Sequence, residues 1–237
     1  MCCAGITEDG SQLLRLYPIR YRRLNPSQRF NRYDLVSLET YRPTSDHRPE
    51  SVRVVESSIT LVSQRTLPRR ERFKIWLPFV ADSIEALQTD NRERGRSLGI
   101  IRPDPESVQF TWKSATASSE EERENLRFSR QAMLFEEELT SLQKDFTFFY
   151  TFTTGNKQHR CQILDWEVQA TYYHYSQRYG DEALPRMQEM WQEVFVKQNL
   201  HLVMGTLLAH PRTFSIIGVL RTTEDVEAFA AQGGLFG

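Results

Sequence analysis

The order of elements along the chain predicts an α+β protein, a small N-terminal β-barrel or curled sheet packed against a C-terminal part of β-hairpin and helices. Three observations lead there. Short strands with turn signals about every 10 residues fill residues 1–65. A Phe/Tyr and Thr alternation after Asp145, a Gly-Asn turn and a return strand mark one hairpin. Two capped helices follow that hairpin and precede two more apolar strands.

Each element has its own signal. Cys3–Ile6 and Leu13–Ile19 flank Thr7-Glu8-Asp9-Gly10, whose Asp-Gly is a hairpin turn, and Pro18 stops the second strand. The basic stretch from Arg20 to Tyr33 reads as a helical turn between loops, and Asp34–Tyr41 alternates as a third strand. A turn-rich tract, residues 42–51, leads into Val52–Val55 and Ile59–Val62. Arg69–Ala81 carries apolar residues between charges and reads as a helix that kinks or ends at Pro78. Ser83–Arg94 is a second helix capped by Asp82 or Ser83, and Leu98–Ile101 and Val108–Trp112 are strands across a Pro-Asp-Pro turn. The Ser/Thr/Ala- and Glu-rich Ser114–Glu122 reads as a linker dividing domains 1–113 and 114–237, unless the two form one continuous domain, and a charged helix runs on to about Leu142.

Beyond the hairpin, Asp165 caps a helix to Gly180, and Asp181 opens another to Lys197 with Pro185 tolerated in its first turn. Leu200–Leu208 and Phe214–Leu220 are strands. Glu224–Ala231 closes as a helix before a mobile glycine-rich tail.

Composition narrows the function classes. At 237 residues and 39% hydrophobic the chain can bury a core, and 30 cations against 31 acids leave a net charge of −1, with no overall bias toward polyanions. No apolar run approaches the ~18 residues of a spanning helix, and the opening residues lack a signal peptide, so no membrane contact and a cytoplasmic location are expected. Three cysteines, Cys2, Cys3 and Cys161, make neither a disulfide framework nor a ligand pair. Charge is unevenly placed: residues 1–74 carry a net +6 and the remainder −7. Twenty-five of the thirty cations are arginines, suited to bidentate phosphate contacts and stacking. The competing reading is an arginine-rich composition whose guanidinium groups pair with the acids.

The leading candidate site is Arg20, Tyr21, Arg22 and Arg23 together with Arg29, Phe30, Arg32 and Tyr33. Guanidinium groups meet phosphates and tyrosines stack on bases, the pairing used in single-strand and RNA binding. The alternative is a loop whose Phe30 and Tyr33 are anchored in the core. A second cluster, Asp46-His47-Arg48-Pro49-Glu50-Ser51, can orient a phosphate through Arg48 or supply an acid/base pair through His47. As a strand-entry loop it would instead be tied down by ion pairs of Arg48 and Glu50. A third, Asp165-Trp166-Glu167, follows a strand and could hold Mg²⁺ beside Glu39 or Asp145, as in a metal-dependent nuclease. A capping role for Asp165 and a first-turn position for Glu167 explain both carboxylates without metal.

His47, His159, His174, His201 and His210 form no zinc spacing, and the phosphate-loop, dinucleotide and hydrolase-elbow motifs are missing from the sequence, so neither metal nor cofactor is expected.

Four blocks, CCAGITEDGSQLLRLYPIRYRRL, DHRPESVRV, CQILDWEVQATYYHYSQRYGDEALPRMQEMW and LHLVMGTLLAHPRTFSIIGVL, occur in series over most of the chain. Together they resemble a family of uncharacterised bacterial proteins, which brings no activity, cofactor or catalytic residue with it. Such proteins usually carry residues before the first strand, which implies either an unusual sheet edge here or a misplaced start codon. The N-terminal strand rhythm is similar in outline to PUA-like domains, including the ASCH type, which implies RNA or modified-base contact.

The expected function is therefore a nucleic-acid-binding or accessory protein, more a binder than an enzyme, in a bacterial nucleic-acid transaction such as defence. RNA or DNA would be met by Arg20, Arg22, Arg23, Arg29, Arg32, Arg48, Tyr21 and Tyr33. The alternatives are a metal-dependent nuclease built on Asp165 and Glu167, and a subunit of a larger protein complex.

Overall fold

The computed structural model describes residues 2–68, 71–114 and 145–223, without the side chains of Arg22 and of residues 63–66. The expected linker beyond Ser114, the charged helix to Leu142, the helix Glu224–Ala231 and the tail lie outside the described residues.

The fold is α+β. In the N-terminal part, β1 (Cys3–Ile6) and β2 (Leu13–Tyr17) form the expected hairpin. The expected third strand is two, because the chain crosses between sheets at Leu38 and Glu39. There the Glu39 N–H donates to Ser58 Oγ at 2.8 Å, and its carbonyl accepts the Val55 N–H at 3.0 Å. Thus β3 (Asp34–Ser37) pairs with β6 (Thr60–Thr66), while β4 (Thr40–Tyr41) joins β5 (Ser51–Val54) in the sheet β1-β2-β5-β4. Both sheets stay open, so the curled-sheet reading holds and the barrel does not close among the described residues.

Pro78 acts as its ring chemistry demands. The helix α1 (Arg72–Trp76) ends before it, a 3₁₀ turn (Leu77–Phe79) carries it, and the chain enters β7 (Val80–Ala81). Ser83 Oγ accepts the Ala86 N–H to cap α2 (Ile84–Arg94), which Gly95 closes at φ 71°. β8 (Leu98–Ile101), buried throughout, and β7 join β12 (His201–Thr206) and β13 (Phe214–Leu220) in the order β13-β12-β8-β7. β9 (Gln109–Ser114) pairs with β10 (Phe146–Thr154), which pairs with β11 (Lys157–Gln162). Strands on both sides of the expected 113/114 division therefore share two sheets.

Between β11 and β12 lie α3 (Trp166–Tyr179) and α4 (Ala183–Gln188), the latter continuing through a π-helical stretch (Glu189–Val194) into α5 (Phe195–Lys197). Inside the π stretch the Tyr150 hydroxyl donates to the Trp191 carbonyl at 2.6 Å, a buried partner that spacing could not reveal. The main core joins Phe110, Phe148, Tyr150 and Trp191 to Met187, Met204 and Ile216. A smaller cluster of Phe73, Trp76, Ile100 and Val203, with Ile6 and Tyr33 against it, packs the N-terminal part onto the central strands.

Candidate nucleic-acid interface

The first expected cluster divides. Arg20 donates to Glu56 through its backbone N–H and its guanidinium, with Nε 2.7 Å from Oε2. Burial of Glu56 opposes ionisation, but the Arg20 bonds win and hold its carboxyl below the usual range. The Tyr21 hydroxyl donates to the Phe30 carbonyl at 2.7 Å and its ring meets Phe30 edge-on, so both aromatics anchor a small core with Ile19 and Ile59. Arg29 Nε donates to the Leu24 carbonyl at 3.3 Å, and Arg23 stands exposed in the turn. The Arg22 side chain lies outside the described residues.

The Asp46–Ser51 loop is a clamp. Arg48 Nε and Nη2 bind the Asp46 carboxylate at 2.8 and 2.6 Å, while Nη1 reaches the Thr206 carbonyl on β12 at 2.7 Å. The Tyr17 hydroxyl also donates to Asp46. Although burial raises its pKa, the Arg48 and Tyr17 hydrogen bonds hold Asp46 well below the usual carboxylate range. Glu50 accepts the Ser97 and Leu98 N–H groups and the Ser97 hydroxyl. Arg15, only 5% exposed, donates Nη2 to the Ser97 carbonyl and Oγ. The loop thus ties β2 and β5 to the entrance of β8 and the end of β12. Arg48 faces inward, and His47 is exposed.

A third place gathers residues from separate candidates. The turn Asn31–Asp34 sets Tyr33 at φ 73°, with the Tyr33 carbonyl accepting the Leu67 N–H, a backbone state that a bulky residue holds only when its surroundings fix it. Arg72, the first residue of α1, lies over the Tyr33 ring at 4.7 Å and donates Nε to the Leu67 carbonyl. Arg32 donates Nη1 to the Val219 carbonyl at 2.8 Å and Nη2 to Glu167 at 2.7 Å, and lies 4.0 Å from Asp165. Arg221, just past β13, stacks on Phe195 at 3.8 Å. Burial pushes the Tyr33 hydroxyl pKa up, and Arg32, Arg72 and Arg221 all act against that shift. Three guanidinium groups from three segments therefore bear on one tyrosine.

The acids facing them are Glu167 and Asp165. Asp165 is 8% exposed, caps α3 by accepting the Glu167 N–H at 2.9 Å, and its Oδ2 has no hydrogen-bond partner. Burial raises its pKa to about 6, with Arg32 opposing. The two carboxylates of the expected nuclease pair are thus occupied, one as a helix cap and one on Arg32. Among the described residues no three His, Cys, Asp or Glu side chains gather as metal ligands.

A family model described as Domain of unknown function (DUF8757) matches residues 80–236. The chain belongs to this family. A second, Domain of unknown function (DUF8758), matches residues 1–78. No curated protein and no solved structure matches the chain. The junction between the DUF8758 and DUF8757 regions, at residue 79, follows α1, so both clusters above join the two matched regions: Arg48 to Thr206, and Arg32 to Val219 and Glu167. Among the described residues no helix is long and apolar enough to cross a membrane.

Sequence reasoning reached Arg32, Tyr33, Asp165 and Glu167 but assigned them to two different functions. It missed Arg72 and Arg221. Each is one arginine among twenty-five, and only the packing of α1 and the end of β13 beside the Asn31–Asp34 turn distinguishes them.

Proposed function

We propose that this protein binds nucleic acid, with Arg72 and Arg221 contacting phosphate beside Arg32 and Tyr33. The observation that carries the reading is the convergence of three guanidinium groups on Tyr33, where Glu167 engages Arg32 and Asp165 is the second acid. Among the described residues Arg221 makes no hydrogen bond or ion pair, and Arg72 donates only Nε–H, so N–H groups on both remain for an anion. Guanidinium forks match phosphate oxygens, and a cluster this close raises the local potential further than the same charges scattered. Arg20 and Arg48 are set apart by their carboxylates and serve the fold in this reading.

The test is an Arg72→Glu/Arg221→Glu double variant titrated into a fluorescent single-stranded oligonucleotide at low salt. The expected result is a loss of about tenfold or more in affinity and a shallower salt dependence by about two phosphate contacts. A cooperative unfolding transition that stays well above the assay temperature, even if lowered by loss of the Arg72–Tyr33 contact, shows that the fold persists. Equal affinity in the variant, or no binding by the parent protein, overturns the reading.

A further inference from the structure

Arg32 is held at two points of different strength. Its Nη1 donates to the Val219 carbonyl at 2.8 Å, a backbone group of β13, while its Nη2 donates to Glu167 at 2.7 Å. The Arg32 and Glu167 side chains are 41% and 46% exposed, and an ion pair this open to water is worth a factor of about five at most. The backbone therefore fixes the guanidinium in place, and a weakly held carboxylate takes up its Nη2 group.

The Glu167 side chain is able to leave without disturbing the helix. Its backbone is secured in the first turn of α3, where the N–H donates to Asp165 Oδ1 at 2.9 Å and the carbonyl accepts the Thr171 hydroxyl at 2.7 Å. Among the described residues Arg32 is the one hydrogen-bond partner of its carboxylate. The neighbouring acid does not favour its staying: burial raises the Asp165 pKa and the Glu167 charge adds to that, so the two carboxylates repel. Asp165 lies 4.0 Å from Arg32, is buried and caps α3, so it stays behind when Glu167 swings out.

The carboxylate also acts on the rest of the cluster. Burial lowers the Arg221 pKa, Glu167 opposes that and Arg32 adds to it, so Glu167 and the two arginines share one field. A phosphodiester brings the same single negative charge with two non-bridging oxygens, and it meets Arg72 and Arg221 at the same time, whereas the Glu167 carboxylate bonds Arg32 alone. Exchange of one for the other replaces an exposed ion pair by contacts with three guanidinium groups.

Resting on the reading under Proposed function, we infer that Glu167 is an internal stand-in for phosphate: it occupies Arg32 in the free protein and is displaced by the nucleic acid, which makes Arg32 the third phosphate contact.

Anisotropy titrations of a fluorescent single-stranded oligonucleotide, at about 0.1 M salt, test this. Glu167→Gln is expected to bind about three- to fivefold more tightly than the parent protein, because Arg32 no longer has to give up a charged partner. Glu182→Gln, in the turn at the other end of the fourteen-residue α3, removes the same charge about 20 Å away, beyond the screening length, and should leave affinity unchanged. In an Arg32→Ala background Glu167→Gln should gain less than about twofold. No gain in Glu167→Gln, an equal gain in Glu182→Gln, or a full gain that survives Arg32→Ala overturns the inference. Arg32→Ala also loses the Val219 bond; if that variant does not unfold cooperatively, the comparison of Glu167→Gln with Glu182→Gln decides alone. Weakened binding in Arg72→Glu/Arg221→Glu together with an unchanged Glu167→Gln overturns this inference and leaves the first reading standing, whereas a parent protein that binds no strand removes both.

Discussion

The guanidinium of Arg72 rests over the ring of Tyr33, 4.7 Å from its centre, while the Tyr33 backbone is held at φ 73°. The two constraints support each other, because the ring cannot swing out without leaving the arginine, and the arginine is fixed by its Nε bond to the Leu67 carbonyl. Lysine keeps the charge but loses both the planar contact and the fork. Arg72→Lys is therefore expected to weaken strand binding about threefold, less than the glutamate change, and to lower stability by about 1 kcal/mol. Parallel anisotropy and urea titrations read the two effects, and a lysine variant indistinguishable from the parent in both would show that charge alone matters there.

Asp46 and Arg48 predict a stability effect without a binding effect. Their side chains are nearly buried, the pair also holds Tyr17 and the Thr206 carbonyl, and removing one partner strands the others away from water. Asp46→Ala should lower unfolding free energy by about 3 kcal/mol. The Arg20–Glu56 pair has its arginine side half in solvent, so Arg20→Ala should lose no more than about 1 kcal/mol. Urea midpoints measured side by side decide this, and comparable losses for the two variants would mean that the clamp is not what joins β2 and β5 to β8 and β12.

What was legible in the sequence was local. The Asp-Gly hairpin, the caps at Ser83 and Asp165, the break at Pro78 and the Phe/Thr alternation of β10 are each decided within a few residues, and all appear where expected. The pairing of Arg48 with Asp46, two residues away, was within reach for the same reason. What depended on distant segments was hidden. No periodicity announces that Arg32 finds Val219 and Glu167, that β9 pairs across 31 residues with β10, or that the strand pattern of 34–41 is shared between two sheets. Arg72 and Arg221 were invisible because an arginine has no spacing rule that separates a phosphate contact from a solvated surface charge.

Gly99 predicts a packing effect in β8. A Cβ built on it would lie 2.3 Å from Leu87 Cδ2, and Leu87 is itself on the buried face of α2, with little room to withdraw. Gly99→Ala should destabilise by about 1–3 kcal/mol, whereas the added methyl alone would help an open strand position. Shortening the opposing side chain provides the check: Leu87→Val should recover part of the loss in the double variant, so fully additive effects in a thermodynamic cycle would contradict direct contact.

Two buried groups titrate in one window with opposite signs. His201 is buried against Trp76 at 4.7 Å and bonds through Nδ1 to the Asn199 carbonyl; burial, helped by Arg102, lowers its pKa from 6.5 to about 4. As pH falls below 6.5 the unfolded chain takes up that proton first, so stability declines until about pH 4. Asp165, beside Glu167 and Arg32, has its pKa raised by burial from 3.8 to about 6, so the folded protein takes up its proton first and stability rises as pH falls from about 6 to 3.8. Each contribution is on the order of 3 kcal/mol, and the two largely cancel in the parent protein. Asp165→Asn keeps a capping oxygen but removes the titration, so its urea midpoint should fall more steeply than the parent's between pH 6.5 and 4. His201→Phe, which keeps a ring against Trp76, should instead gain on the parent over the same range. If Asp165→Asn and the parent run parallel across the window, burial does not raise the Asp165 pKa, and the carboxylate stays charged beside Arg32 down to its ordinary range.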